Sequence, residues 1–306
     1  MELDLDSDQT ALAQALDSMP SKYATVPVGK AEYFVQNEQL ERDLAEAGYF
    51  DVVRDMGPVG GVLLIEAVAG MPWSVEVAAS ALLGPSLGKS DGRRPLALAR
   101  APLDTPVRFL NGGGTLLVAD GKAVRRVDLK PEQVQPVESQ FAYPYALAKG
   151  IDVSKAAAVS NLSVAEFQRL WQLGIAAEIV GAAGKAVDIA VEYVKNRVQF
   201  GRPLGSFQVI QHRLSECAML HRGARLLTRR AAWSGASVDA AMAASYAQEA
   251  AARFIYETHQ FHGAIGLTLE YPLHYFTYRL RRLQGELGGA SHQSRAAADA
   301  RWPLQA

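Results

Sequence analysis

The sequence predicts an α+β chain that is mainly α: an N-terminal helical domain, a reduced central β domain and a C-terminal four-helix bundle. Three observations carry that reading. Apolar residues recur at three-and-four spacing over 164–295 and, less regularly, over 1–90, the period of a helix with one buried face. Residues 93–138 break that period, with shorter apolar runs and more proline, glycine and β-branched residues, as strands and tight turns require. At 306 residues the chain exceeds one typical domain, and the composition shifts place domains at 1–92, 93–150 and 151–306.

Taken in order, Ser7 or Asp8 is suited to cap a first helix with Leu12 and Leu16 on one face. Asn37 caps a second, with Leu40 and Leu44 inward and Gly48 as its stop. Val62–Ala69 and Val75–Leu83 read as two further helices broken by Gly70 and Pro72. Strands are expected at 96–100, 107–110, 114–119 and 123–129. The glycine run Asn111-Gly112-Gly113-Gly114 and the pair Asp120-Gly121 read as hairpin turns. A phosphate cradle would need a helix N-terminus after the glycines, and none follows. Residues 131–163, with Pro131, Pro136 and Pro144, read as a linker ending in a cap at Ser160 or Ser163.

Over 164–295 the pattern sharpens. Phe167, Leu170, Trp171 and Gly174, then Val180, Val187, Val191 and Val194, mark a first long helix. A second runs from about Phe207 to Trp233, a turn follows at 234–237 with Ser237 as cap, and an alanine-rich third helix continues to about His259. Pro272 opens the fourth. Short turns between long helices imply an up-down bundle, and the last residues read as a fraying tail.

Net charge is −1 with both signs interspersed, which argues against a nucleic-acid groove or a polybasic membrane patch. The single cysteine, Cys217, excludes a disulfide framework within the chain and is expected as a small core residue. The acidic start is unlike a signal peptide. Glu66 interrupts the longest apolar run, at 59–69, so no membrane span is expected. A cytoplasmic protein is the expectation. His212, His259 and His262 show no metal-ligand spacing, and Arg279, Arg281 and Arg282 read as a solvated face or a subunit contact.

One stretch stands apart. Arg197-Val198-Gln199-Phe200-Gly201-Arg202-Pro203-Leu204-Gly205-Ser206-Phe207-Gln208 separates two long helices, and its glycines and proline break both. It presents a guanidinium, two amides and a ring from a short turn. Arginine's planar fork suits phosphate, while a plain helix–helix turn accounts for the same residues. This stretch, with Val209-Ile210-Gln211-His212 after it, resembles a loop of the acyl-CoA dehydrogenase family. Residues 260–284, QFHGAIGLTLEYPLHYFTYRLRRLQ, are similar to that family's later glycine loop and the helix following it. The resemblance is strong from about 165 to 295 and weak before 150.

The resemblance implies FAD as cofactor and an acyl-CoA thioester as substrate, dehydrogenated between its α and β carbons. It implies that Arg197, Gln199, Phe200 and Gln208, with Gln260 and Gly263, hold the phosphate and adenine half of an FAD seated in a neighbouring subunit. Ala264 replaces the family's second glycine. The family's tryptophan-and-threonine segment for the flavin ring is missing. The family's glutamate base stands at one of two positions, which in this sequence are Leu287 and Trp171. Glu286, one residue away, is the single weak candidate. The expected protein is a short subunit of a heteromeric α2β2 acyl-CoA dehydrogenase of the bacterial steroid side-chain type, lacking its own base and completing the FAD site of a homologous partner. A self-sufficient homo-oligomer using Glu286, and a non-catalytic scaffold, stay open as alternatives.

Overall fold

The computed structural model describes residues 4–23, 33–88, 93–140 and 142–302. The very start of the acidic opening and the last four residues of the expected tail lie outside them.

The N-terminal helices are α1 (Ser7–Lys22), α2 (Glu38–Glu46), α3 (Val52–Ala69) and α4 (Ala78–Leu83). Asp6 supplies the first cap by accepting from the Gln9 amide at 2.8 Å, and Asn37 caps α2 through the Leu40 amide at 2.9 Å. The third helix begins ten residues earlier than the apolar run suggests. Gly57 sits at φ 66 beside Pro58, and that kink joins a first turn carrying Arg54 and Asp55 to the buried run Val62–Ile65.

Two small sheets follow. Strands β1 (Leu96–Arg100), β2 (Val107–Arg108), β3 (Thr115–Ala119) and β4 (Val124–Asp128) appear where expected. The stretch read as a linker holds three more: β5 (Val134–Val137), β6 (Tyr145–Ala148) and β7 (Ala157–Ala158). The prolines that suggested a linker are tolerated because β5, which carries Pro136, is an edge strand paired to β6 alone. The sheet orders are β1-β3-β4-β7 and β2-β6-β5. The glycine run therefore forms no hairpin: β3 pairs in parallel with β1, and the turn at 111–114 carries the chain from one sheet to the other. Asp120-Gly121 does close the β3–β4 hairpin, its carboxylate accepting from the Ala123 amide at 2.7 Å.

The bundle is built from α5 (Val164–Asn196), α6 (Gln208–Ser234), α7 (Ser237–His262), α8 (His274–Leu283) and α9 (Gly289–Arg301), with the short strands β8 (Val198–Gln199) and β9 (Arg202–Pro203) between α5 and α6. Ser163 caps α5 through the Glu166 amide at 3.1 Å. Ser237 is the first residue of α7 rather than its cap, and Ser234 Oγ accepts from the Ala236 amide instead. Buried Ala240, Ala243, Ala244, Ala247 and Ala251 let α7 lie close against its neighbours. The expected fourth helix breaks in two at Leu287, Gly288 and Gly289, all with positive φ, and the expected tail is the helix α9, which buries Gln293 and Ala297.

Arg279 is a correction of a different kind. It is 2% exposed rather than solvated. Its guanidinium donates to the carbonyls of Met71, at 2.7 Å, and Pro72, and so ties α8 to the chain leaving α3. Cys217 is free and buried as expected.

Candidate functional site

The six residues singled out in the sequence share one end of the bundle. Arg197 ends α5. The chain then turns back through a two-residue hairpin in which Phe200 (φ 54) and Gly201 (φ 80) are both left-handed, the geometry of a type I′ turn. The Leu204 amide closes it on the Arg197 carbonyl at 2.8 Å. Phe200 stands 87% exposed at the tip, and the Arg202 guanidinium lies 4.1 Å over the Phe207 ring. Arg197, Gln199 and Gln208 face solvent. The second loop sits alongside. Phe261 packs in one apolar cluster with Val194, Leu204, Ile210 and Leu214, and the Tyr193 ring stacks on His262 at 4.4 Å. Gln260 and Gly263 are exposed beside it, and Gly263 has φ 63, which disfavours any side chain there. Buried His262 has Nδ1 2.6 Å from the Thr258 carbonyl. Burial lowers its pKa, so it serves as a neutral prop under the loop.

The second place of interest lies deep between the β strands and the bundle. Arg108, on β2, makes a two-pronged ion pair with Glu178 of α5, at 2.7 and 2.9 Å. Its Nη2 also lies 3.5 Å from Glu286 Oε1. The Trp171 indole donates to that same oxygen at 2.9 Å. The side chains of Arg108, Glu178 and Glu286 are 12, 9 and 7% exposed. Burial pulls the Arg108 pKa down, but the charges of Glu178 and Glu286 outweigh it and hold the guanidinium well above its ordinary value. Glu286 reaches this spot because α8 ends at the left-handed break, and Gln248 of α7 fixes the break by donating to the carbonyls of Leu283 and Glu286, both at 2.8 Å.

The enclosed room at this cluster, on the Glu178 side, is about 20 Å³, enough for roughly one water. On the other side Arg108, Trp171 and Glu286 also line a more open cleft of about 290 Å³ with Arg282 and Leu287. A general base needs a dry cavity with space for the carbon acid it deprotonates. Glu286 is buried and its Oε2 has no partner among the described residues, but an ion pair and an indole hold its other oxygen. Arg108 and Glu178 were not singled out in the sequence. The available signal was a charge in each of two apolar patterns: Arg108 in a short strand, and Glu178 seven residues after Trp171 on one helix face.

Along α5 the two places are far apart. From Trp171 to Arg197 is 26 residues, 197 minus 171, or about 39 Å of helix. Among the described residues no group of three or more His, Cys, Asp or Glu side chains could hold a metal ion, and no helix is long and apolar enough to cross a membrane.

A long-helix bundle capped by glycine-bearing loops, set against a small two-sheet β layer, is the acyl-CoA dehydrogenase fold. The chain superposes over its full length on a chain of the ChsE4–ChsE5 complex from Mycobacterium tuberculosis, covering 100% of both, with a TM-score of 0.77 and 21% identity. Butyryl-CoA dehydrogenase from Megasphaera elsdenii gives 0.74 and 20% over 98% of this chain and 100% of that one. Residues 169–298 match the family described as acyl-CoA dehydrogenase, C-terminal domain. Over 257 residues the chain is 29% identical to acyl-CoA dehydrogenase IpdE2 of Mycolicibacterium smegmatis, covering 80% of this chain and 81% of that one. A 36% match to IpdE2 of Mycobacterium tuberculosis covers 37% of this chain and 40% of that protein. Residues 169–298 are thus similar to the C-terminal domain of acyl-CoA dehydrogenases, and the rest of the chain shares their fold; one fold neighbour, PigA, is described as an FAD complex.

Proposed function

We propose that this chain is the base-less subunit of a heteromeric acyl-CoA dehydrogenase, and that its bundle loops grip the nucleotide half of an FAD whose ring and substrate belong to a homologous partner. One observation carries the reading: the exposed loops and the buried cluster at Trp171 stand about 39 Å apart on a single helix, farther than one dinucleotide reaches. Loops so placed serve a cofactor seated in another chain.

The fit of FAD divides accordingly. At the bundle end, Arg197 offers a charge-assisted fork to phosphate, Gln199, Gln208 and Gln260 offer amides, and Gly263 lets backbone approach the diphosphate. In the interior, the enclosed space of about 20 Å³ beside Arg108, Trp171, Glu178 and Glu286 does not admit a flavin ring or an acyl chain. The cleft of about 290 Å³ on the other side of Glu286 meets a carboxylate already held by an indole and a guanidinium. When bound, FAD supplies the hydride acceptor for α,β-dehydrogenation. The contribution of this chain is positioning and electrostatics at the phosphate end. The α2β2 assembly, the steroid-type thioester and the cytoplasm belong to this reading. Support for the assembly comes from fold neighbours described as complexes, ChsE4–ChsE5 and the Tcur3481–Tcur3483 steroid acyl-CoA dehydrogenase. The division at 1–92, 93–150 and 151–306 is proposed with it.

Co-expression with a longer homologue carrying a glutamate at either base position tests the reading. The chain purified alone is expected colourless, and the complex yellow and active. A lone chain that is yellow and turns over an acyl-CoA would establish the self-sufficient enzyme instead. Unchanged flavin content in an Arg197→Ala, Gln208→Ala complex would favour the scaffold.

A further inference from the structure

We propose that a second cleft, between α1, α3, α5 and α6, binds a largely apolar small molecule bearing a hydroxyl donor. The cleft encloses about 460 Å³, within the usual range of small-molecule sites, roughly 300–1,000 Å³. Its apolar lining comes from Leu16, Leu63, Met71, Val180, Ile189 and Phe276.

The polar group that points to a ligand is Glu66, whose side chain is 7% exposed. Its Oε2 accepts from Arg225 Nε at 3.1 Å and Arg229 Nη2 at 3.4 Å. Its Oε1 is buried in the same lining and has no partner among the described residues. An unsatisfied buried acceptor is costly, and a donor brought by a ligand removes that cost. His221 also lines the cleft, but its Nε2 is engaged at 3.0 Å with the Val180 carbonyl. The charges around the cleft balance: Asp17, Glu66 and Asp188 stand against Lys185, Arg225 and Arg229. A neutral ligand with one hydroxyl therefore fits better than an ion.

The cleft is preformed. A Cβ at Gly181 would lie 2.2 Å from the Glu66 carbonyl, so α3 and α5 cross backbone against backbone, and that crossing fixes the depth. The cleft is also separate from both places described above. Gly184 stands 13 residues from Trp171 and 13 from Arg197 (184 minus 171, and 197 minus 184), about 20 Å along α5 from each.

The test uses the full chain and a matched pair of probes, 2-naphthol and its methyl ether, followed by calorimetry. The naphthol is expected to bind saturably at one per chain, with the ether at least tenfold weaker because it brings no donor to Glu66. Ala67→Trp, which fills the cleft without touching Glu66, should abolish binding while leaving the helical circular dichroism intact. If that variant misfolds, Ala13→Trp fills the cleft from α1. Absence of saturable binding, equal affinity for the two probes, or binding that survives a well-folded filled variant would overturn the proposal.

Discussion

Trp171 hands its indole hydrogen to Glu286 across 2.9 Å, although 115 residues separate them in the chain. The contact joins the first bundle helix to the break after the fourth, the two elements whose Trp171 and Leu287 stand where the resemblance puts the family's glutamate base. Neither Trp171 nor Leu287 can accept a proton. Of the two carboxylates nearby, Glu178 is paired to Arg108, and Glu286 is held by an indole on one side and by the guanidinium of Arg108 on the other.

Arg108→Ala should destabilise the chain strongly. It would leave Glu178 and Glu286 buried without a countercharge, and breaking a buried pair from one side costs about 3–5 kcal/mol. The triple change Arg108→Met, Glu178→Gln, Glu286→Gln keeps the volume and removes all three charges, so it should recover most of that loss. Urea denaturation of the three proteins checks both statements. An Arg108→Ala chain as stable as the parent would show that the cluster does not hold the β strands to the bundle.

Glu286→Gln keeps an acceptor for Trp171 and removes the one base candidate read from the sequence. Turnover of the complex with its partner is expected to stay within about twofold of the parent, since positioned acid–base groups typically contribute 10²–10⁴-fold. A drop of that size in kcat would return the base to this chain.

Arg197→Ala should weaken FAD retention by the complex. A hydrogen bond to a charged group contributes about 1.5–3 kcal/mol, which is roughly a 10- to 150-fold rise in the FAD dissociation constant. Flavin fluorescence released on dilution reads it directly, and salt should weaken the parent more than the variant, because exposed charges are screened.

How much of this was open to sequence reading depends on how local each feature is. The long bundle helices were legible because their apolar spacing repeats over many turns, and the Arg197 loop because Gly201, Pro203 and Gly205 interrupt that spacing. Strands β5 and β6 were hidden by Pro136 and Pro144, whose cost depends on where the strand lies in a sheet. Arg279 looked solvated because its partners, the carbonyls of Met71 and Pro72, lie more than 200 residues away. The same holds for Arg108: a charge in a short strand says nothing of the two carboxylates that tertiary packing brings to it.

Arg279→Met tests that long-range tie. The change preserves most of the buried stem but strips hydrogen bonds from the carbonyls of Met71 and Pro72. A buried polar group left unsatisfied costs about 1–3 kcal/mol, so a loss of at least that size is expected in chemical denaturation. Arg279→Lys cannot fork to two acceptors and should recover only part of it. Full stability in the methionine variant would mean that water reaches those carbonyls.

Alkaline pH should loosen the chain through Tyr145. Burial, reinforced by the Glu286 charge, pushes its hydroxyl up to about 12, and Arg282 donates Nε–H to the same oxygen. An acid with a raised folded pKa keeps its proton when the unfolded chain has already lost it. Its stabilising effect is complete below the unfolded value near 10 and falls as pH climbs from there towards 12, by about 1.4 kcal/mol per pH unit. Tyr143, pushed higher still by burial, adds a slope of the same sign. Tyr145→Phe should therefore flatten the decline above pH 10 without abolishing it, while leaving the shape of the stability curve between pH 7 and 9 unchanged. An unaltered alkaline slope in that variant would show that Tyr145 ionises as freely in the folded chain as in the unfolded one.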